Sequence, residues 1–178
     1  ILKTGGNAID AAIATAATLA VAIPNMNGLG GDSIALWYNV KKNKITAING
    51  SGKSPSKASK KYFNSKGLKK IPRRGVLSIS VPGVVHAWET ALKKYGKKNL
   101  KTILENAINL AENGIVIDQY LKNFFEGKVY RNLIKNNKNL SDIFGCKKSF
   151  KIGSKFKQKN LAKTLRILSK EGSRSFYK

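Results

Sequence analysis

A chain of 178 residues, 42% of them hydrophobic, is long enough for one domain with a sizeable core, and its composition is that of neither a disordered nor a membranous chain. Charge is the anomaly: 34 Lys and Arg stand against 9 Asp and Glu, a net charge of +25. That balance favours anionic partners, yet Lys outnumbers Arg heavily and keeps company with abundant Asn and Ile, the bias of an AT-rich genome, so no specific nucleic acid is implied. Cys146 is the only cysteine and His86 the only histidine, which excludes an internal disulfide and most zinc and His-triad schemes. No signal peptide or membrane segment occurs in these residues. The chain starts at Ile1 without a Met and stops at Phe176-Tyr177-Lys178, and it is read as a piece of a longer protein.

Gly5–Ser33 organises the rest. Asn7 is placed to cap a helix, with Asp10 three residues on to return a hydrogen bond and oppose the positive end of the dipole. From Ala8 to Ile23 the only charge is Asp10, and Pro24 closes the segment. A helix apolar on nearly every side is expected to be covered on nearly every side. Gly28, Gly30 and Gly31 form a Cβ-poor loop, and an apolar strand follows. Ile34, Leu36, Tyr38 and Val40 alternate there with Ala35, Trp37 and Asn39, so both faces are largely apolar and a strand covered on two sides is expected. A polar turn around Asn43 returns the chain through Lys44–Ile48 as a hairpin.

Asn49–Pro55, reading NGSGKSP, leaves the hairpin through glycines able to take positive φ. Lys53–Arg74 holds nine basic residues and no acid, the pattern of an exposed, mobile loop. Val76–Val81 is expected to be a short strand. Helices dominate afterwards. One carries Val84, Trp88, Ala91, Leu92 and Tyr95 on one side and stops at Gly96. A second is capped by Asn99 and carries Leu100, Ile103, Leu104, Ala107, Ile108 and Ala111 up to Gly114. A third starts at Asp118 with Leu121, Phe124 and Phe125 inward and a weak middle at Gly127. Asn136–Gln158 reads as irregular and basic, with a short extended piece at Phe150–Ile152. The last helix turns Leu161, Leu165 and Leu168 inward and ends at Gly172.

The residues alone give no catalytic constellation. Gly28–Asp32 comes in the order helix, loop, strand, with no following Lys-Ser/Thr, so close backbone packing accounts for it better than phosphate binding. His86 falls on the polar side of its helix near Glu89 and Thr90, with no nucleophile in view. Ser78 and Ser80 lie in no nucleophile elbow, because Val81-Pro82 follows. Glu105 and Glu112 do not form an inferable glycosidase pair.

Four blocks in order carry a resemblance: ILKTGGNAIDAAIA; NGLGGDSIALWYNVKKNKITAING; LSISVPGVVHAWETALKKYG with the helix through LAENGIVID; and LAKTLRILSKEGSRSFYK. They cover most of the chain and resemble the large subunit of gamma-glutamyltranspeptidases, which are N-terminal-nucleophile hydrolases. The resemblance implies an α+β fold forming part of a four-layer αββα sandwich, with residues 1–178 as a single domain from a longer self-processing precursor. It implies no cofactor and no metal. In such proteins the precursor cleaves itself, and the new N-terminal threonine, with its own α-amino group as base, attacks a γ-glutamyl amide. An acyl-enzyme forms and is passed to water or an amine.

The threonine and the oxyanion glycines belong to the small subunit, so the implied partners are that subunit and a small γ-glutamyl or acyl amide substrate, with an acidic acyl group as the first choice and glutathione left open. The large subunit's familiar contribution is an arginine in an R-E-x-A-P motif, which fixes the substrate carboxylate. Aligned on Pro55, Ser51 takes the arginine position and Gly52 the glutamate position, and Lys53 is the nearby positive charge. Ser51 and Lys53 are therefore the expected substrate-binding residues. A serine offers one hydrogen bond where a guanidinium offers a charged fork, and NGSGKSP resembles acylase-like members more than glutathione-cleaving ones. A different class of function is a basic module holding nucleic acid or another polyanion through Lys53–Arg74.

Overall fold

The computed structural model describes residues 1–145 and 149–178; Cys146, Lys147 and Lys148 lie outside the described residues. In chain order the elements are helix α1 (Ala8–Ala22), strands β1 (Ser33–Asn39) and β2 (Lys44–Gly50), helices α2 (Lys60–Ser65), α3 (Val84–Tyr95) and α4 (Leu100–Asn113), strand β3 (Ile115–Val116), helices α5 (Gln119–Glu126), α6 (Lys128–Lys135) and α7 (Lys138–Phe144), strand β4 (Lys155–Phe156), and helices α8 (Lys159–Glu171) and α9 (Arg174–Tyr177). The fold is α+β. The chain divides into two compact units: residues 1–28 together with 96–178, and residues 29–95.

The first unit is mostly helical. Its α1 begins with the capping box that the sequence predicts: Asp10 N–H donates to the Asn7 side chain at 3.1 Å, and Asn7 N–H donates to Asp10 Oδ2 at 2.8 Å. The Asp10 carboxylate does more than cap. It is fully buried and also accepts the backbone N–H groups of Lys97 (3.0 Å) and Lys98 (3.1 Å), tying the start of α1 to the turn before α4. Burial pushes this carboxyl up, but the N–H bonds from Asn7, Lys98 and Lys97 and the Lys98 charge outweigh it, so the group titrates below its ordinary 3.8. Ile9, Ile13, Ala14, Ala17, Ala20 and Val21 are buried, whereas Ala12 and Thr15 are exposed, so α1 is not covered all round within this chain.

Helix α4 packs against α1 on one side and α8 on another. Its stripe of Ile103, Leu104, Ala107, Ile108 and Ala111 is buried, as are Ala162, Leu165 and Leu168 of α8. Arg166 clamps Glu112 across the α4–α8 pair with two hydrogen bonds, at 2.5 and 2.7 Å, and the bond from Arg166 holds the Glu112 carboxyl below its ordinary 4.5. Gly114, at φ 93°, ends α4 and leads into β3, which pairs antiparallel with β4 (Ile115 opposite Phe156). Gln158 then locks the start of α8, donating its backbone N–H to Ala111 O and its side-chain Nε2 to Val21 O, both at 2.8 Å.

Three expectations for this unit are corrected. Gly127 does not weaken the middle of one helix; at φ −61°, ψ 139° it is extended, ending α5 and starting α6. Within the stretch expected to be irregular, Lys138–Phe144 forms α7 under an Asn137 cap. The extended piece falls at Lys155–Phe156, where β3 offers a partner, rather than at Phe150–Ile152. Phe125 gathers Phe144, Phe150 and Phe156 around it at ring separations of 4.7–5.8 Å. Tyr130 borders that cluster, and burial pushes its phenol up to about 12.

The second unit is built on the β1–β2 hairpin. Its turn uses Asn43 at φ 44°, and Tyr38 hydroxyl donates to the Asn43 side chain at 2.8 Å. The register places Trp37 opposite Thr46 and Ala35 opposite Ile48. This face meets α3, with the Trp37 and Tyr95 rings 4.4 Å apart. The other face does not match the expectation of a doubly covered strand. Ile34 and Leu36 are each 76% exposed and Ile45 is 65% exposed, because no second sheet lies over them among the described residues of this unit. Val76–Val81 is likewise no strand: Val76–Ser78 makes a 3-10 turn after Gly75, and Ser78 hydroxyl donates to Gly75 O.

Asp10→Ala is expected to destabilise the protein by about 3 kcal/mol, since it removes a cap and strands buried N–H donors. With the native carboxyl depressed, its stabilising contribution is complete above pH 3.8 and disappears as pH falls through the lower folded value. Acid unfolding of Asp10→Asn followed by circular dichroism should therefore show a shallower loss of stability below pH 4 than the parent.

Candidate functional site

Three backbone segments of the second unit meet at the exit from β2. Gly31 O accepts the N–H groups of Gly83 (3.0 Å) and Val84 (3.1 Å), which fixes the start of α3 against the loop before β1. Asp32 Oδ1 accepts Gly52 N–H at 3.0 Å, holding the segment after β2 against the same loop. Lys53 O accepts Val81 N–H at 2.9 Å, which joins that segment to the one leading into α3.

Glycine is required where these segments touch. A Cβ on Gly52 would land on the Val81 carbonyl, one on Gly83 would land on the Gly50 carbonyl, and one on Gly50 would strike Ala87 Cβ and lie 2.8 Å from Ser33 O. None of the three has positive φ, so room and not handedness demands them, contrary to the expectation for Gly50 and Gly52. The close packing expected at Gly28–Asp32 is also relocated. Added Cβ atoms at Gly28 and Gly30 meet nothing within 4 Å, and the loop contributes instead the Gly31 carbonyl and the Asp32 carboxylate.

This junction presents Ser51 and Lys53. Both are exposed. Ser51 N–H donates to Asn49 Oδ1 at 2.9 Å, an Asx-type bend, and its hydroxyl has no partner among the described residues. Lys53 is pinned by its carbonyl, leaving its ammonium without an ion pair among the described residues. Asp32 is the residue that sequence reasoning passed over, although the GLGGD motif contains it. Of the other candidates, His86 is exposed on α3, Glu89 faces Lys93 at 3.4 Å, Glu112 is engaged with Arg166, and Ser78 is turned to Gly75. Among the described residues no group of three His, Cys, Asp or Glu could hold a metal ion.

A family model described as gamma-glutamyltranspeptidase matches residues 1–178. The chain belongs to the gamma-glutamyltranspeptidase family. A glutathione hydrolase-like YwrD proenzyme of Bacillus subtilis is 37% identical over 99% of this chain and 33% of its own length. The crystal structure of Helicobacter pylori gamma-glutamyltranspeptidase superimposes with a TM-score of 0.90 at 36% identity, covering 99% of this chain and 51% of that one. Cephalosporin acylase from Bacillus halodurans gives the same TM-score at 34% identity, covering 99% of this chain and 34% of that one. The chain thus spans about a third of the length of the curated relatives it matches. For this family member the α+β fold and the acylase-like affinity expected from the motifs are both met.

Gly83→Ala forces two backbones apart and is expected to destabilise by about 3 kcal/mol. Ser51→Ala removes only a solvated hydroxyl and should stay within about 0.5 kcal/mol of the parent. Thermal unfolding of the two variants separates the architectural glycine from the exposed serine.

Proposed function

We propose that this chain is the large-subunit portion of a self-processing amide hydrolase or acyltransferase that moves a γ-glutamyl or related acidic acyl group to water or an amine. The observation that carries the reading is the superposition, over 99% of the chain, on both a gamma-glutamyltranspeptidase and a cephalosporin acylase. The nucleophile is the N-terminal threonine of a small subunit. Its hydroxyl adds to the amide carbonyl while its α-amino group takes the proton; the amine leaves and an acyl ester remains, to be opened by water or a second amine.

In this reading the open apolar face of the hairpin, with Ile34, Leu36, Tyr38 and Ile45, is where the small subunit's sheet packs, completing the αββα sandwich. Ser51 and Lys53 bind the acyl donor. Ser51 supplies a single hydrogen bond and Lys53 a point charge, in place of the arginine fork that holds a γ-glutamyl α-carboxylate in the family motif. The donor side therefore tolerates acids that lack the glutamyl α-amino acid group, and glutathione is one substrate among several.

The full precursor, analysed by mass spectrometry, should show cleavage immediately before a threonine; an intact product without such a threonine refutes the reading. In the processed protein Ser51→Arg is expected to raise kcat/KM for γ-glutamyl anilide relative to glutaryl anilide about tenfold, the scale of one charge-assisted hydrogen-bond pair. An unchanged ratio would remove Ser51 from the donor site.

A further inference from the structure

The sequence contains three Asn-Gly pairs: Asn27-Gly28, Asn49-Gly50 and Asn113-Gly114. Asparagine is among the chemically labile residues, and a following glycine gives it an internal nucleophile. The glycine nitrogen adds to the asparagine Cγ, ammonia leaves, and a five-membered succinimide remains. Water then opens either carbonyl of the ring, giving aspartate or isoaspartate. One water is consumed and one ammonia released, with no change of oxidation state. Glycine favours the closure because it has no Cβ to crowd the ring and leaves the backbone free to rotate. The step therefore needs an unengaged glycine N–H, an unengaged side-chain amide and a backbone able to turn.

Two of the pairs lack these conditions. Asn113 is the last residue of α4, and Gly114 N–H donates to Leu110 O at 2.9 Å. Gly114 is buried at φ 93°, where a Cβ would stand 3.1 Å from both Lys155 Cβ and Lys157 Cγ. Asn49 is held in β2 opposite Ile34, and its Oδ1 accepts Ser51 N–H at 2.9 Å. Gly50 beside it is closed in by Ala87 and Ser33. Both pairs must open locally before they can react.

Asn27 differs at each point. It follows the turn after α1, with its N–H donating to Ile23 O at 3.1 Å. The residue is exposed, and its side chain has no partner among the described residues. Gly28 N–H likewise has no acceptor among the described residues, and a Cβ added there meets nothing within 4 Å. We propose that Asn27 is a self-modifying position, converting through the succinimide to aspartate or isoaspartate while Asn49 and Asn113 stay intact. The fold accepts the product. Asn27 and Gly28 line a cavity of about 480 Å³ together with Asp142, Lys157 and Lys159, so the new carboxylate joins two cations and one anion. In the isoaspartyl form the main chain runs through the former side chain and is one methylene longer. That insertion falls four residues before Gly31, whose carbonyl fixes the start of α3.

The test incubates the full-length protein at mildly alkaline pH in heavy-oxygen water and reads each asparagine by peptide mapping and mass spectrometry. Label marks amides that became carboxylates during the incubation. Asn27 should convert more than about tenfold faster than Asn49 or Asn113, which wait on local opening. In denaturant the three rates should converge, because the structure no longer protects any pair. Gly28→Val fits a backbone without positive φ and crowds the attacking nitrogen, so it should slow Asn27 about tenfold and leave the other two unchanged. Asn27→Asp should keep the parent's thermal midpoint to within about 4 °C; a larger loss overturns the place given to the product. Equal rates at the three sites of the folded protein, or faster conversion at Asn49 or Asn113, overturns the proposal. So does an unlabelled Asn27 in folded protein whose denatured form takes up the label.

Discussion

The contact on which the candidate site depends is backbone against backbone. The carbonyls of Gly31 and Lys53 take N–H groups from the segment entering α3, and the glycines at 50, 52 and 83 leave space for that approach. Hydrogen bonds of this kind contribute modestly one at a time, but they become obligatory where side chains have been excluded and no other partner can reach. The result is a rigid mount at the end of a hairpin, carrying two solvent-facing side chains that have no structural duty. Residues relieved of packing are free to be chosen for a ligand.

The first unit achieves its order by a different route. Asp10 is its only fully buried charge among the described residues, and its carboxylate serves the helix it starts and the turn before another helix at once. A buried carboxylate saturated by N–H donors is tolerated because each hydrogen bond favours the ionised form. Around it the packing is conventional: small residues on α1, a leucine and isoleucine stripe on α4, and a matching stripe on α8. This division leaves the second unit with a half-covered hairpin and an acid-free stretch between Asp32 and Glu89.

Much of this was legible from the residues. Asn7 with Asp10, Asn99 with Gly114, and the spacing of Leu161, Leu165 and Leu168 each encode a helix boundary or face through local rules, and local rules survive folding. The alternation of β1 marked the hairpin, and Asn43 marked its turn. The misses share a cause. Whether Val76–Val81 becomes a strand depends on a neighbour to pair with, and strand preference measures surroundings more than sequence. The helix over Lys138–Phe144 is only two turns long, so its Asn137 cap and the spacing of Leu140, Ile143 and Phe144 are too brief a pattern to stand out from the basic stretch around them. Gly127 reads as a weak spot in a pattern, while the backbone it adopts stops the helix outright.

At the site, motif alignment brought Ser51 and Lys53 to notice, but why glycines surround them could not be read, because the atoms that crowd Gly52 and Gly83 come from distant parts of the chain. Asp32 escaped for the same reason: its partner is Gly52, across the hairpin.

The bond between Lys53 and Val81 has one more consequence, for how such a protein can diversify. Closing a loop costs only about 0.6 kcal/mol more each time its length doubles, so once the two ends are clasped the stretch between them can lengthen, shorten or trade its charges with little strain on the clasp. The stretch between them is then an exchangeable cassette, which evolution can rewrite without touching the junction of hairpin and helix beneath.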